Sequence, residues 1–249
     1  MLEAALSAEG LSRSFGGLRA VAGVSVAVRT SEIHAVIGPN GAGKTTLINL
    51  LSGDLRPSSG RIALEGRDVT SFGPDRRGRA GLGRSYQKTT IFARHTAFEN
   101  ARLAAQSRSR GALSMFADPR RNQEVNARAE AVLAEVGLPG RGHVPAGHLS
   151  HGEQRQLEIA MVLATEPRVI LLDEPLAGMG AAEAQAIVGL IRRLADGRAV
   201  LLVEHDMDAV FTLADVLTVM ADGQVIAHGA PEAVRAHPAV RTAYLGEPS

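Results

Sequence analysis

The sequence predicts an α/β fold: a central parallel sheet, an antiparallel β layer beside it, and an inserted α-helical lobe. Three observations carry this. Ile33–Ile37, Val169–Leu172 and Ala199–Val203 are short, almost wholly apolar runs, the pattern of parallel strands covered on both faces. Val24-Ser25-Val26-Ala27-Val28 alternates instead, as a half-buried antiparallel strand does. From about Phe98 to Gly137 the chain is rich in Ala, Arg and Glu at helical spacing.

Composition narrows the function. The 249 residues suit one large domain. With 45% apolar and 21% charged residues, the chain is ordinary globular material. Its 27 basic and 26 acidic side chains leave a net charge of +1, which argues against nucleic acid as a partner. The absence of cysteine excludes a disulfide scaffold, a zinc-thiolate site and a cysteine nucleophile. No apolar run reaches the roughly 18–20 residues of a membrane span. The start, Met1-Leu2-Glu3-Ala4, lacks the layout of a signal peptide. A cytoplasmic protein is expected, with any membrane role exerted through a partner. Lys44 and Lys88 are the only lysines, so Lys44 stands out where arginine serves everywhere else.

In chain order, Arg13-Ser14-Phe15-Gly16-Gly17 offers an aromatic that either stacks on a nucleobase or packs in the core. The first apolar run ends in Gly38-Pro39-Asn40-Gly41-Ala42-Gly43-Lys44-Thr45. That matches G-x-x-x-x-G-K-[ST] in its required context, after a strand and before the apparent helix Thr45–Leu51. Backbone N–H groups of Gly38, Asn40, Gly41, Ala42, Gly43 and Thr46 are expected to cradle phosphate, with Lys44 on the β- and γ-phosphates and the Thr45 hydroxyl on Mg²⁺. The core is thus of the P-loop NTPase kind. Arg61–Leu64 with the turn Glu65-Gly66-Arg67 continues the antiparallel layer. Gln87, in Arg84-Ser85-Tyr86-Gln87-Lys88, carries an amide for Mg²⁺ or for a water. Ser107–Arg121, with Gly111, Pro119 and several arginines, reads as a loop or insertion.

Leu149-Ser150-His151-Gly152-Glu153 opens a helix with a capping box, Ser150 to Glu153. The same N-terminus suits the γ-phosphate of a nucleotide held by another subunit. Asp173-Glu174 closes the second apolar run, with Asp173 assigned to the metal and Glu174 to the attacking water as base. His205 follows the third run, either as a γ-phosphate sensor or as a structural histidine. Ligands in such sheets bind beyond the carboxyl ends of the strands, so three segments aim at one edge. Val216–Met220 and Gln224–Ala227 flank Asp222-Gly223, a β-hairpin signal. Pro231 opens a short helix with Glu232 in its first turn.

In this order, Phe15, Gly38–Thr45, Gln87, Leu149–Glu153, Val169–Glu174 and His205 resemble the nucleotide-binding subunit of an ABC transporter over essentially the whole chain. Phe15–Val21, Gln156-Leu157-Glu158-Ile159-Ala160, the tail from Gly229 through Glu247 and the Ser107–Arg121 insertion are similar to the ATPase subunits of branched-chain amino-acid importers. Urea importers share most of these features. The resemblance implies a RecA-like core with its antiparallel layer at about 1–85 and 165–249, and a helical subdomain at about 88–164. It implies ATP and Mg²⁺ as cofactors, with Thr45, Gln87 and Asp173 toward the metal, and Glu174, His205 and Gln87 as the catalytic set. It further implies a head-to-tail dimer with a sister ATPase subunit or a second copy. There Ser150, His151, Gly152 and Glu153 act in trans. The expected partners are transmembrane permease subunits, which hold the chain on the inner face of the plasma membrane, and indirectly a substrate-binding protein. Two positions depart from the family pattern. His151 replaces a usual Gly, and Gly180 stands where many relatives carry an acid or amide that links the two ATP sites. A soluble ABC ATPase of translation or DNA repair, which usually carries two cassettes or a long coiled coil, is a weaker match. So is a small-molecule kinase, in which the capped helix and His205 have no role.

Overall fold

The computed structural model describes residues 4–86, 90–108 and 123–245. In chain order the first elements are β1 (Ala4–Phe15), β2 (Leu18–Arg29), β3 (Ile33–Ile37), α1 (Lys44–Ser52), β4 (Ser59–Leu64), β5 (Arg67–Asp68), α2 (Pro74–Arg79) and β6 (Leu82–Arg84). The helices α3 (Ala97–Gln106), α4 (Gln123–Glu135) and α5 (His151–Ala164) follow. The chain then runs through β7 (Val169–Asp173), α6 (Ala181–Leu194), β8 (Ala199–Val203), α7 (Met207–Leu213), β9 (Val216–Ala221), β10 (Gln224–Gly229), α8 (Pro231–Arg235) and α9 (Pro238–Leu245).

The strands form two sheets, one of order β2-β1-β4-β5 and the other β10-β9-β3-β8-β7-β6. The first is antiparallel, and the second pairs β9, β3, β8, β7 and β6 in parallel. The three apolar runs are its central strands. Their alternate residues face opposite ways: Ile33, Ala35, Ile37, Ile170, Leu172, Val200 and Leu202 pack with α3 to α6. Val36, Val169, Leu171, Ala199, Leu201 and Val203 pack with α1 and the antiparallel sheet. Burial on both faces is why these strands show no polar alternation.

The hairpin over Asp222-Gly223 is present, with φ of 47° and 77° at its two turn residues, the left-handed pair of a type I′ turn. The structure adds that β9 is also a parallel neighbour of β3. It adds β6 as an edge strand, whose three residues are too few for any periodicity to reveal. The helical stretch resolves into α3 and α4, while most of the expected insertion, residues 109–121, lies outside the described residues.

Two arrangements set the site in place. Register aligns Val36 and Asp173 with Val203, so β3, β7 and β8 end at one level. The helix α1 is held from behind by Arg77, which is wholly buried. Its guanidinium donates to the carbonyls of Leu50 and Leu51 at 2.5 and 2.6 Å and to Thr70 O at 3.1 Å. A cation on the last carbonyls opposes the negative end of the helix dipole. Burial lowers the Arg77 pKa to about 10, with the Asp54 charge opposing.

Candidate active site

The loop after β3 is shaped by glycine. Gly41 and Gly43 have φ of 83° and 98°. A Cβ at Gly43 would stand 2.3 Å from the carbonyl oxygen of Ala20, and one at Gly38 would stand 2.3 Å from that of Met220. Only glycine lets β2 and β9 close on this loop. A side chain at either position would push the loop off its strand, so the residues present fit a phosphate cradle. Lys44 lies folded over the loop, its Nζ donating to Gly38 O at 2.5 Å and Pro39 O at 3.0 Å. Burial lowers its pKa, opposed by the charge of Glu174. Asn40 and Thr45 are exposed, Thr46 is half-buried and Ala42 is buried.

Asp173 ends β7 as a buried carboxylate. Its Oδ2 accepts from Arg84 Nη2 at 2.9 Å. Arg84 in turn donates to Ser52 Oγ and Asp54 Oδ2, both at 2.7 Å. Burial raises the Asp173 pKa against the pull of Arg84. Among the described residues no group of three or more His, Cys, Asp or Glu side chains could hold a metal.

Glu174 sits at φ 47°, a conformation that strains a residue with a Cβ and is found at functional positions. Its N–H donates to Val203 O at 2.9 Å, and its Oε2 lies 4.0 Å from His205 Nδ1. The His205 side chain is 60% exposed. The structure therefore brings the glycine loop, Asp173, Glu174 and His205 to one edge of the sheet. Phe15 lies at the tip of the β1–β2 hairpin, 44% exposed, with the Arg13 guanidinium 4.9 Å from its ring centre.

The capped start of α5 lies apart from the glycine loop in its bonding. Ser150 Oγ accepts from Glu153 N–H at 3.3 Å, and Glu153 Oε2 accepts from Ser150 N–H at 2.9 Å. Arg141 braces Glu153 at 2.8 Å. His151 is exposed. Gly152 N–H and Gly180 N–H donate to the two oxygens of Glu183 at 3.3 and 3.4 Å. Among the described residues this helix start makes no hydrogen bond to the glycine loop. The Glu153 pKa is held below the carboxylate range, first by Arg141 and then by Ser150 N–H. Its cap is therefore fully present above the ordinary carboxylate pKa and is lost as pH falls through the lowered value. Acidification from about pH 6 to about pH 3 is expected to fray the first turn of α5. Amide exchange at Glu153 and Gln154, corrected for intrinsic rate, reads this; unchanged protection would reject it.

Gln87 lies outside the described residues, but what brackets it does not. Arg155 is buried on α5 and donates to Tyr86 O at 3.1 Å, Asp173 O at 2.9 Å, Glu174 O at 2.8 Å, Pro175 O at 3.3 Å and Glu158 Oε2 at 2.7 Å. Glu158 Oε1 accepts from Thr90 N–H at 3.0 Å. This pair clamps both sides of the Gln87 segment to the exit of β7. Sequence reading passed over Arg155, Glu158, Arg84 and Glu204. The available signal was spacing on α5: Arg155 stands one turn before the apolar Ile159, and Glu158 one turn before Val162.

No helix among the described residues is long and apolar enough to cross a membrane. Residues 21–177 match the family described as ABC transporter, and residues 224–248 match the one described as branched-chain amino acid ATP-binding cassette transporter. The chain is 39% identical to the high-affinity branched-chain amino acid transport ATP-binding protein BraF of Pseudomonas aeruginosa, over 97% of this chain and 98% of that protein. It is 36% identical to LivG of Escherichia coli, which carries the same description, over 99% and 100% of the two chains. A crystal structure of the ADP conformation of an ATP-binding cassette of an ABC transporter superposes with a TM-score of 0.88 at 32% identity. It covers 98% of this chain and 99% of that one.

Proposed function

The chain belongs to the ABC transporter family as an ATP-binding, ATP-hydrolysing subunit, and from that premise we propose that its transporter imports branched-chain amino acids. The observation that carries the substrate is likeness over the full length to BraF and LivG, together with the family match at residues 224–248.

The glycine cradle supports the residue roles. Gly38, Asn40, Gly41, Ala42, Gly43 and Thr46 offer backbone N–H groups to the phosphates, and Lys44 swings from Gly38 O and Pro39 O onto the β- and γ-oxygens. Phe15 stacks on adenine. Thr45, Asp173 and Gln87 hold Mg²⁺, which when bound neutralises charge on the phosphates. Glu174 takes a proton from water as the water oxygen bonds to the γ-phosphorus and the bond to ADP breaks. His205 steadies the γ-phosphate.

Ser150, His151, Gly152 and Glu153 meet the γ-phosphate of a nucleotide held by a second subunit, either another copy or a sister chain, so binding closes the dimer and hydrolysis reopens it. Residues of about 88–164 form the helical subdomain and engage a permease subunit beside Gln87, while about 1–85 and 165–249 form the core. A substrate-binding protein delivers the solute to the permeases.

Lys44→Ala is expected to weaken Mg-ATP binding at least about tenfold, since it removes charge-assisted hydrogen bonds. Equilibrium dialysis reads it, and unchanged affinity would sink the phosphate role. Substrate identity is tested by uptake in cells carrying the subunit with its permeases. Labelled leucine should accumulate only with the intact cassette; uptake of urea without leucine would replace the amino-acid reading by the related importer class.

A further inference from the structure

We propose that Glu204 is a positioning residue that locks the backbone of His205 to the segment Pro175–Gly180, so that the two respond to nucleotide as one unit. The proposal rests on the nucleotide reading above. Glu204 leaves β8 with only 1% of its surface exposed. One carboxylate oxygen accepts from Leu176 N–H at 2.7 Å and the other from His205 N–H at 3.2 Å. Its own N–H donates to Val36 O at 3.3 Å. A single side chain thus joins the exit of β7 to His205, just beyond the end of β8, and its backbone is pinned to the strand that feeds the glycine loop.

Packing does not explain this choice. Burial raises the Glu204 pKa, the two N–H bonds oppose that, and the nearby Glu174 charge adds to it. An apolar side chain of similar volume fills such a place at lower cost. What a carboxylate alone does here is accept from two separate backbone segments at once. The ring above faces the same group. His205 Nδ1 lies 3.8 Å from Glu204 Oε2 and 4.0 Å from Glu174 Oε2. With Nδ1 turned to the two carboxylates, Nε2 is the nitrogen left for a phosphate.

The connection matters because of where the segment goes. From Leu176 it runs to Gly180, whose N–H caps α6 through Glu183. Gly180 has no side chain to reach a second subunit. Displacement of His205 by phosphate passes through the Glu204 carboxylate to Leu176, so the link runs within the chain rather than through a side chain at position 180.

Glu204→Gln keeps the volume, yet its one carbonyl oxygen can serve Leu176 N–H only by setting the amide NH₂ against His205 N–H. Against the unmodified protein, Mg-ATP affinity should stay within about twofold while kcat falls about tenfold or more, the loss expected for a hydrogen bond to a charged group. A merely structural role would lower affinity and kcat together, and that result, or a kcat within about twofold, overturns the proposal. If Glu204→Gln does not fold, amide exchange of the unmodified protein decides. Leu176 and His205 amides should gain protection together on adding a non-hydrolysable Mg-ATP analogue, and a response at one without the other overturns the lock. A parent protein that neither binds nor hydrolyses Mg-ATP would remove the nucleotide reading and the lock with it. An active parent with an equally active Glu204→Gln removes the lock alone.

Discussion

Glu174→Gln is expected to lower kcat for ATP hydrolysis by about 10²-fold or more, the range for loss of a general base, while Mg-ATP affinity stays within about twofold. Gln has the shape of Glu but cannot take a proton. The exchange also leaves the backbone bond to Val203 O untouched, so the φ of 47° is retained. A variant that binds ATP without turning it over should accumulate as the closed dimer. Light scattering of Glu174→Gln with and without Mg-ATP reads this as a doubling of mass. Normal turnover would remove Glu174 from the role of base. Loss of turnover without a mass change would point to a different ATPase subunit as the obligatory partner. Ser150→Arg in the same background should abolish the doubling while leaving monomer ATP binding intact, because Ser150 lies on a helix start remote in bonding from the glycine loop.

The second large effect is on stability. Arg155→Met is expected to destabilise the fold by about 3–5 kcal/mol, the cost of leaving one member of a buried ion pair without the other. The two side chains are only 9% and 5% exposed, and four backbone carbonyls lose a donor at the same time. The midpoint of urea unfolding should fall with its slope unchanged. The double variant Arg155→Met with Glu158→Leu should regain much of the stability, since it buries no lone charge. It should not regain activity. Thr90 N–H and Tyr86 O would have lost their partners on α5. A single variant within about 1 kcal/mol of the parent would show that the pair is dispensable. A fully active double variant would show that it does no positioning.

Most of this sheet edge was legible in the sequence because its signals are local. A glycine-rich loop needs its residues in consecutive order, since adjacent N–H groups make the cradle. Asp173, Glu174 and His205 were singled out because each lies within two residues of the end of an unmistakable apolar run. Arg84, Arg155, Glu158 and Glu204 were not singled out, because apart from the Arg155–Glu158 and Glu204–His205 contacts their partners lie 18 to 89 residues away in the chain. A charged residue carries no mark in the sequence of the carbonyl or carboxylate it will meet. Arg77 shows the same thing more sharply. It stands between Arg76 and Arg79 in a run of charged residues, yet it is the wholly buried one.

By itself, then, the sequence determined the central apolar strands, the C-terminal hairpin, the glycine loop, the capped helix and the family, since periodicity, turn chemistry and capping act over a few residues. The tertiary structure decided which strands are neighbours, and therefore that β9 joins the parallel sheet and that β6 closes its edge. It also decided which charges go inside. A buried charge survives only where distant backbone groups converge to bond it, and that convergence is a property of the assembled fold.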